Sequence, residues 1–97
     1  MNYLRVRWLH QFPDEPIWLY SELDEGRWET RKVEIFQDGS KAFASRVEDN
    51  GRTFLSVEPV PSLESIGTDP QFIPEEITSE AFETVWADRG SPAGVRP

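Results

Sequence analysis

Few residues in this 97-residue sequence could carry out chemistry. The single histidine, His10, would have to serve any histidine-based acid or base catalysis. Ser21 and Asp14 could be combined with it into a triad, but the sequence lacks the glycine-flanked turn that presents a nucleophilic serine. Carboxylates such as Glu22 and Glu29 could act in an enzyme only as a buried pair. We therefore predict that the protein is not an enzyme.

Metal and cofactor chemistry is equally poorly supported. The acidic turns at 14–15 and 24–25 lack the alternating oxygen ligands of a calcium loop. The sequence contains no cysteine, which excludes disulfides and thiolate zinc sites and is typical of a reducing cytoplasm. We expect no metal and no cofactor.

The net charge of −8 bears on the choice of partner. Residues 1–60 carry eight Lys or Arg against eleven Asp or Glu, and residues 61–97 carry two against seven. This balance disfavours binding to phosphate backbones and favours a basic partner or simple solubility. No apolar run approaches the ~20 residues of a membrane span, and the N-terminal residues follow a strand pattern rather than a signal peptide. We predict a cytoplasmic protein that binds neither nucleic acid nor membrane.

Aromatic residues on two neighbouring strands are the strongest candidates for a binding surface. Trp18 and Tyr20 alternate with Ile17 and Leu19, so the two pairs point to opposite faces of the sheet. The candidate binding residues are Trp18, Tyr20, Glu22, Trp28 and Arg31. These side chains could anchor a protein interface, or they could pack against the rest of the chain.

Charged residues share the same strands. Arg5, Arg7 and Arg31 could pair with carboxylates such as Glu22 and Glu34 across the sheet, each pair contributing ~0.2 to 1 kcal/mol. The three arginines could instead line an anion pocket, but no glycine-rich phosphate loop accompanies them. We expect paired charges on a solvated face.

Apolar alternation predicts five strands at about 3–9, 17–23, 28–36, 41–45 and 53–58. Short turns join them, the sharpest at Asp38-Gly39 and Asn50-Gly51. Because sequence neighbours joined by short turns usually pair, the expected sheet is an antiparallel meander. Prolines at 59, 61, 70 and 74 predict a Pro-rich connector over 59–77 that wraps the domain.

A C-terminal helix is predicted over 78–89, with Thr78 as its N-cap. Its apolar face consists of Phe82, Val85 and Trp86. We expect this face to cover Ile17 and Leu19, which leaves the opposite face to the connector or to a partner. The prediction is an α+β fold with one domain over 1–90 (sheet 3–58, connector 59–77, helix 78–89) and a flexible tail over 91–97.

Several stretches of the chain resemble a known family. They are Arg5-Val6-Arg7-Trp8, the run DEPIWLYSEL at 14–23, the run WETRKVEIF at 28–36 and the segment 77–86. Together they resemble a family of small uncharacterised bacterial domains that occur as stand-alone proteins of about this length. The resemblance covers nearly the whole chain and implies no reaction and no catalytic residues.

Two functional hypotheses follow. The leading one is a non-enzymatic protein-interaction module, similar in size and charge to immunity or antitoxin proteins, that binds a basic partner. The alternative is a small-ligand binding domain with an aromatic pocket between sheet and connector, lined by Trp18, Tyr20, Trp28 and Arg31. A well-formed apolar cavity with converging polar groups would favour the alternative.

Overall fold

The computed structural model describes residues 1–90 and has the predicted α+β fold, in which a helix and a connector cover opposite faces of one antiparallel sheet. The strands are β1 (Asn2–Trp8), β2 (Trp18–Leu23), β3 (Glu29–Ile35), β4 (Lys41–Ser45) and β5 (Phe72–Glu76). The helices are α1 (Leu63–Ile66) and α2 (Ser79–Ala87). The predicted tail, 91–97, lies outside the described residues.

The strand order is β4-β3-β2-β1-β5, and only its first four strands form the predicted meander. Residues 53–58 were expected to form the fifth strand, but they adopt no regular structure. The fifth strand is instead β5, inside the predicted connector, which pairs with β1 at the opposite edge. Its Pro74 is tolerated because a proline can occupy an edge strand where no ladder N–H is needed.

Helix α2 begins as predicted. The Thr78 hydroxyl accepts a hydrogen bond from the Ala81 backbone N–H at 3.1 Å, which satisfies one of the free donors at the helix start. The helix ends at Ala87, two residues before the expected end. Neither helix within residues 1–90 is long and apolar enough to cross a membrane.

The two faces of the sheet are covered in the opposite way from the prediction. Helix α2 packs on the Trp18 and Tyr20 face, where Phe82 forms a core with Tyr20 and Val33. The Leu19 face, expected beneath the helix, is covered by the connector. Both faces of β2 carry large apolar side chains, so its pattern cannot distinguish them. The path of the chain determines which element covers each face. It crosses one face as the connector, forms the edge strand β5, and then crosses the other face as α2.

Candidate functional site

A groove of about 630 Å³ opens between the sheet and the connector, and we call it the sheet–connector groove. Its floor is formed by Leu4, Val6 and Leu19 of β1 and β2. The irregular segment 53–58 continues the connector towards the N-terminus, and residues 56–61 and Ile66 of this extended connector form much of the opposite wall. The groove is therefore a concave, mainly apolar site.

Polar side chains line the β3 side of the groove. Leu19 lies opposite Glu34 in the strand register, and Ser21 lies opposite Lys32, so these four side chains share one face. The register shifts between Glu22 and Leu23, and this irregularity lets Glu29 join the same groove. The groove consequently changes from apolar over β1 to charged over β3.

The buried carboxylate of Glu29 organises this charged side. It accepts hydrogen bonds from the Ser21 hydroxyl at 2.7 Å, and from the backbone N–H and hydroxyl of Ser56 at 2.9 and 3.0 Å. The ammonium of Lys32 lies 3.4 Å from the same carboxylate and donates to the Phe54 carbonyl oxygen at 2.8 Å. Because these contacts join β3 to the connector, Glu29 holds the groove wall in place.

A second attachment of the connector comes from Arg27. Its guanidinium donates to the carbonyl oxygens of Val60 and Pro61 at 2.8 and 2.7 Å, and its own carbonyl oxygen accepts from the Val60 N–H at 2.8 Å. Arg27 has a φ of 66°, in the left-handed region that a non-glycine residue rarely adopts, within the turn between β2 and β3. The connector is thus attached to the sheet on both sides of residues 57–59.

Glu34 is less completely paired than Glu29. Its carboxylate lies 3.7 Å from the Lys32 ammonium, which is already shared with Glu29 and with the Phe54 carbonyl. Burial raises the pKa of Glu34 above its ordinary value, against the opposing effects of Lys32 and of a hydrogen bond with Thr53. A further cation beside Glu34 would therefore stabilise its ionised form.

The residues predicted to form an aromatic pocket do not line this groove. Tyr20 and Glu22 are buried on the helix face, and Trp18 lies beneath the guanidinium groups of Arg5 and Arg7, each 5.1 Å from its ring. Trp28 is apart from the others, 45% exposed at the turn before β3. These residues are absent from the groove lining because α2, and not the connector, covers the Trp18 and Tyr20 face of the sheet.

Arg31 joins the sheet to α2 on the helix face. It makes a bidentate pair with Glu22, at 2.8 and 2.6 Å, and donates to Glu83 of α2 at 3.1 and 2.6 Å. Its guanidinium also lies 5.0 Å from the Phe82 ring and 5.1 Å from the Trp86 ring. Arg31 is thus engaged by two carboxylates and is not part of an anion pocket.

This pairing predicts a specific dependence of stability on pH. Hydrogen bonds from Arg31 lower the pKa of Glu22 from its ordinary 4.5 to about 2. Ionised Glu22 therefore stabilises the fold above its ordinary pKa, and this contribution is lost as the pH falls from about 5 towards 2. We expect the loss to reach about 2 to 3 kcal/mol, measured as the difference in urea-unfolding free energy between the wild type and Glu22→Gln at each pH. A difference that does not change with pH would contradict the assignment.

The notional catalytic triad is not formed. The Nε2 atom of His10 lies 2.7 Å from the Pro16 carbonyl oxygen, and Nδ1 accepts a hydrogen bond from the Phe12 N–H at 2.9 Å, so both ring nitrogens are engaged by the backbone. The Ser21 hydroxyl donates to Glu29 instead of to His10. Within residues 1–90, no three His, Asp or Glu side chains are grouped to hold a metal ion.

These observations define a small α+β domain whose sheet is covered on both faces and bears a ligand-sized groove on one. The chain belongs to the DUF6881 family, because the family model of that domain of unknown function matches residues 2–91. No curated protein and no solved structure matches the chain. The resemblance to a family without an assigned activity is thereby confirmed.

The sequence patterns named Ser21, Glu29 and Glu34 individually but did not place them together in a groove. Lys32 and Glu34 are two positions apart on β3, which was a signal that they share a face. Glu29 is an odd number of positions away from both, so in a regular strand it would point to the opposite face. The irregularity in the β2–β3 register brings it to the same groove. Segment 53–58, which carries Ser56, was predicted to be a strand, so the prediction did not identify it as a wall of the groove.

Proposed function

We propose that this domain is a non-enzymatic binding module that holds a small ligand in the sheet–connector groove. The observation that carries the proposal is the groove itself, whose volume of about 630 Å³ lies within the range of roughly 300 to 1,000 Å³ typical of small-molecule sites. An apolar floor with a few polar groups on one side is the usual composition of such a site.

The geometry favours this function over the protein-interaction module. Trp18 and Tyr20 were the expected anchors of a protein interface, but α2 and the β1 arginines already contact them. The immunity or antitoxin role, the basic protein partner, the bacterial origin and the cytoplasmic location stay predictions.

The contacts inside the groove also support binding over catalysis. The Ser21 hydroxyl donates a hydrogen bond to the Glu29 carboxylate, and the Lys32 ammonium donates one to the Phe54 carbonyl oxygen. Both donors are therefore engaged by other groups of the fold, and neither is presented to a ligand as an activated nucleophile.

The proposal is tested by filling the groove. We expect a panel of apolar fragments, titrated into ¹⁵N-labelled protein, to shift the amide resonances of Leu4, Val6 and Leu19 in a saturable manner. The variant Leu19→Trp should abolish these shifts, because the larger side chain occupies the floor. Val47→Trp is the matched control, since Val47 is almost fully exposed and lies outside the groove.

Two results would overturn the proposal: no fragment shifts the groove resonances, or Leu19→Trp binds the same fragments as the wild type. If Leu19→Trp does not fold, Ile66→Trp blocks the groove from the connector side.

A further inference from the structure

We infer that the sheet–connector groove is selective for small amphiphilic amines, with the cationic nitrogen at Glu34 and the apolar part on Leu19 and Val6. This inference rests on the proposed function, because it names the class of ligand that the groove would take.

The charges of the groove favour a cation. The carboxylates that line it are those of Glu29, Glu34, Glu58 and Asp69, and the single cationic side chain among its described lining residues is Lys32. A carboxylate or phosphate ligand would meet net repulsion in this groove, whereas an ammonium group would be attracted.

The hydrogen bonds select Glu34 among these carboxylates. The Glu29 carboxylate contacts Ser21, Ser56 and Lys32. Among the residues that the structure describes, the contacts found for the Glu34 carboxylate are the shared Lys32 ammonium at 3.7 Å and the Thr53 hydroxyl. Glu34 is also largely enclosed, with 16% of its side chain exposed, so a charge pair formed there is less screened than one on the open surface.

The strand register determines the direction in which the apolar part of a bound amine would run from Glu34. Glu34 lies opposite Leu19 on β2, and Leu19 lies opposite Val6 on β1. Adjacent strands are ~4.8 Å apart, so an apolar chain that starts at Glu34 and runs across the strands reaches Val6 after ~10 Å. An octyl chain is long enough to cover both apolar side chains, and this suggests a matched set of probes.

The test compares octylammonium, octanol and octanoate, which share a chain and differ in head-group charge. Titrations at neutral pH and low salt, followed by the amide resonances of the groove, should give a Kd for octylammonium about tenfold lower than for octanol, with octanoate the weakest. Glu34→Gln should lose most of the preference for octylammonium over octanol, with the octanol Kd unchanged. Glu25→Gln removes an exposed carboxylate outside the groove and should retain the preference.

The outcomes separate the two proposals. If octanol and octanoate bind in the groove as tightly as octylammonium, the amine selectivity is wrong and the groove remains a ligand site. If none of the three probes shifts the groove resonances, the amine selectivity fails, and absence of binding by the apolar fragments as well would overturn the groove function. If Glu34→Gln does not fold, the wild type still decides: octanoate must bind more weakly than octanol, and an equal or higher affinity for octanoate contradicts the charge pair.

Discussion

Replacing Arg31 with methionine is expected to lower the free energy of unfolding by about 3 to 5 kcal/mol, because the change leaves a buried carboxylate without its cation. The carboxylate is that of Glu22, which is 7% exposed and makes both of its charged hydrogen bonds with Arg31. The substitution also removes the two hydrogen bonds to Glu83 that attach α2 to the sheet. Urea denaturation monitored by tryptophan fluorescence measures the change.

A surface arginine provides the matched control for this prediction. Arg46 has a side chain that is 70% exposed and lies 4.0 Å from Asp24, so Arg46→Met should cost less than about 1 kcal/mol. Adding Glu22→Gln to Arg31→Met should recover part of the stability, because the buried carboxylate is then removed. A loss below about 1 kcal/mol for Arg31→Met, or no recovery in the double variant, would contradict the prediction that Arg31 compensates the buried carboxylate of Glu22.

The second large effect is expected at Phe82. Its side chain is completely buried between α2 and the sheet, where its ring lies 5.4 Å from that of Tyr3. Phe82→Ala should lower the free energy of unfolding by about 3 to 5 kcal/mol, because it removes the largest fully buried side chain and leaves a cavity. Hydrogen exchange should show the amides of α2 losing protection before those of the central strands, since the helix depends on this contact.

Phe54 offers the comparison, because it is the same residue type in an exposed position. It is 77% exposed, so Phe54→Ala should change stability by no more than about 0.5 kcal/mol. Equal losses at the two positions would contradict the assignment of Phe82 to the core beneath α2.

Different residues stabilise the two faces of the sheet, so these variants can separate stability from binding. Arg31 and Phe82 stabilise the helix face, whereas Glu29 and Arg27 hold the connector over the groove on the other face. Under conditions in which the helix-face variants remain folded, we expect them to retain the proposed binding of small ligands in the groove. Stability and binding would then be separable by mutation.

Local patterns predicted much of the fold. The alternation of apolar residues identified β1 to β4, and the Asp-Gly turn between β3 and β4 was placed correctly. Thr78 was identified as an N-cap because its hydroxyl only has to reach the backbone three residues on. Each of these features depends on residues close in sequence, and this is why the sequence was sufficient.

The fifth strand required information from distant residues. Pro74 argued against a strand at 72–76, but pairing with β1 makes that segment an edge strand, where a proline is tolerated. The segment 53–58 had the apolar content of a strand, but its polar groups bond instead to Glu29 and Lys32. Local propensity could not resolve either case, because long-range partners determine which segment joins the sheet.

The sequence by itself therefore determined the strands of the meander, the capped helix and the acidity of the chain. Only the tertiary structure decided which face of β2 meets the helix, because Trp18 and Leu19 are both apolar enough to be covered. With α2 on that face, the groove forms on the opposite face, and its lining does not include Trp18, Tyr20, Glu22 or Arg31. The same packing places the carboxylate of Glu34 in the groove, because a groove is formed by chain segments that pack together across the fold and not by neighbours in sequence.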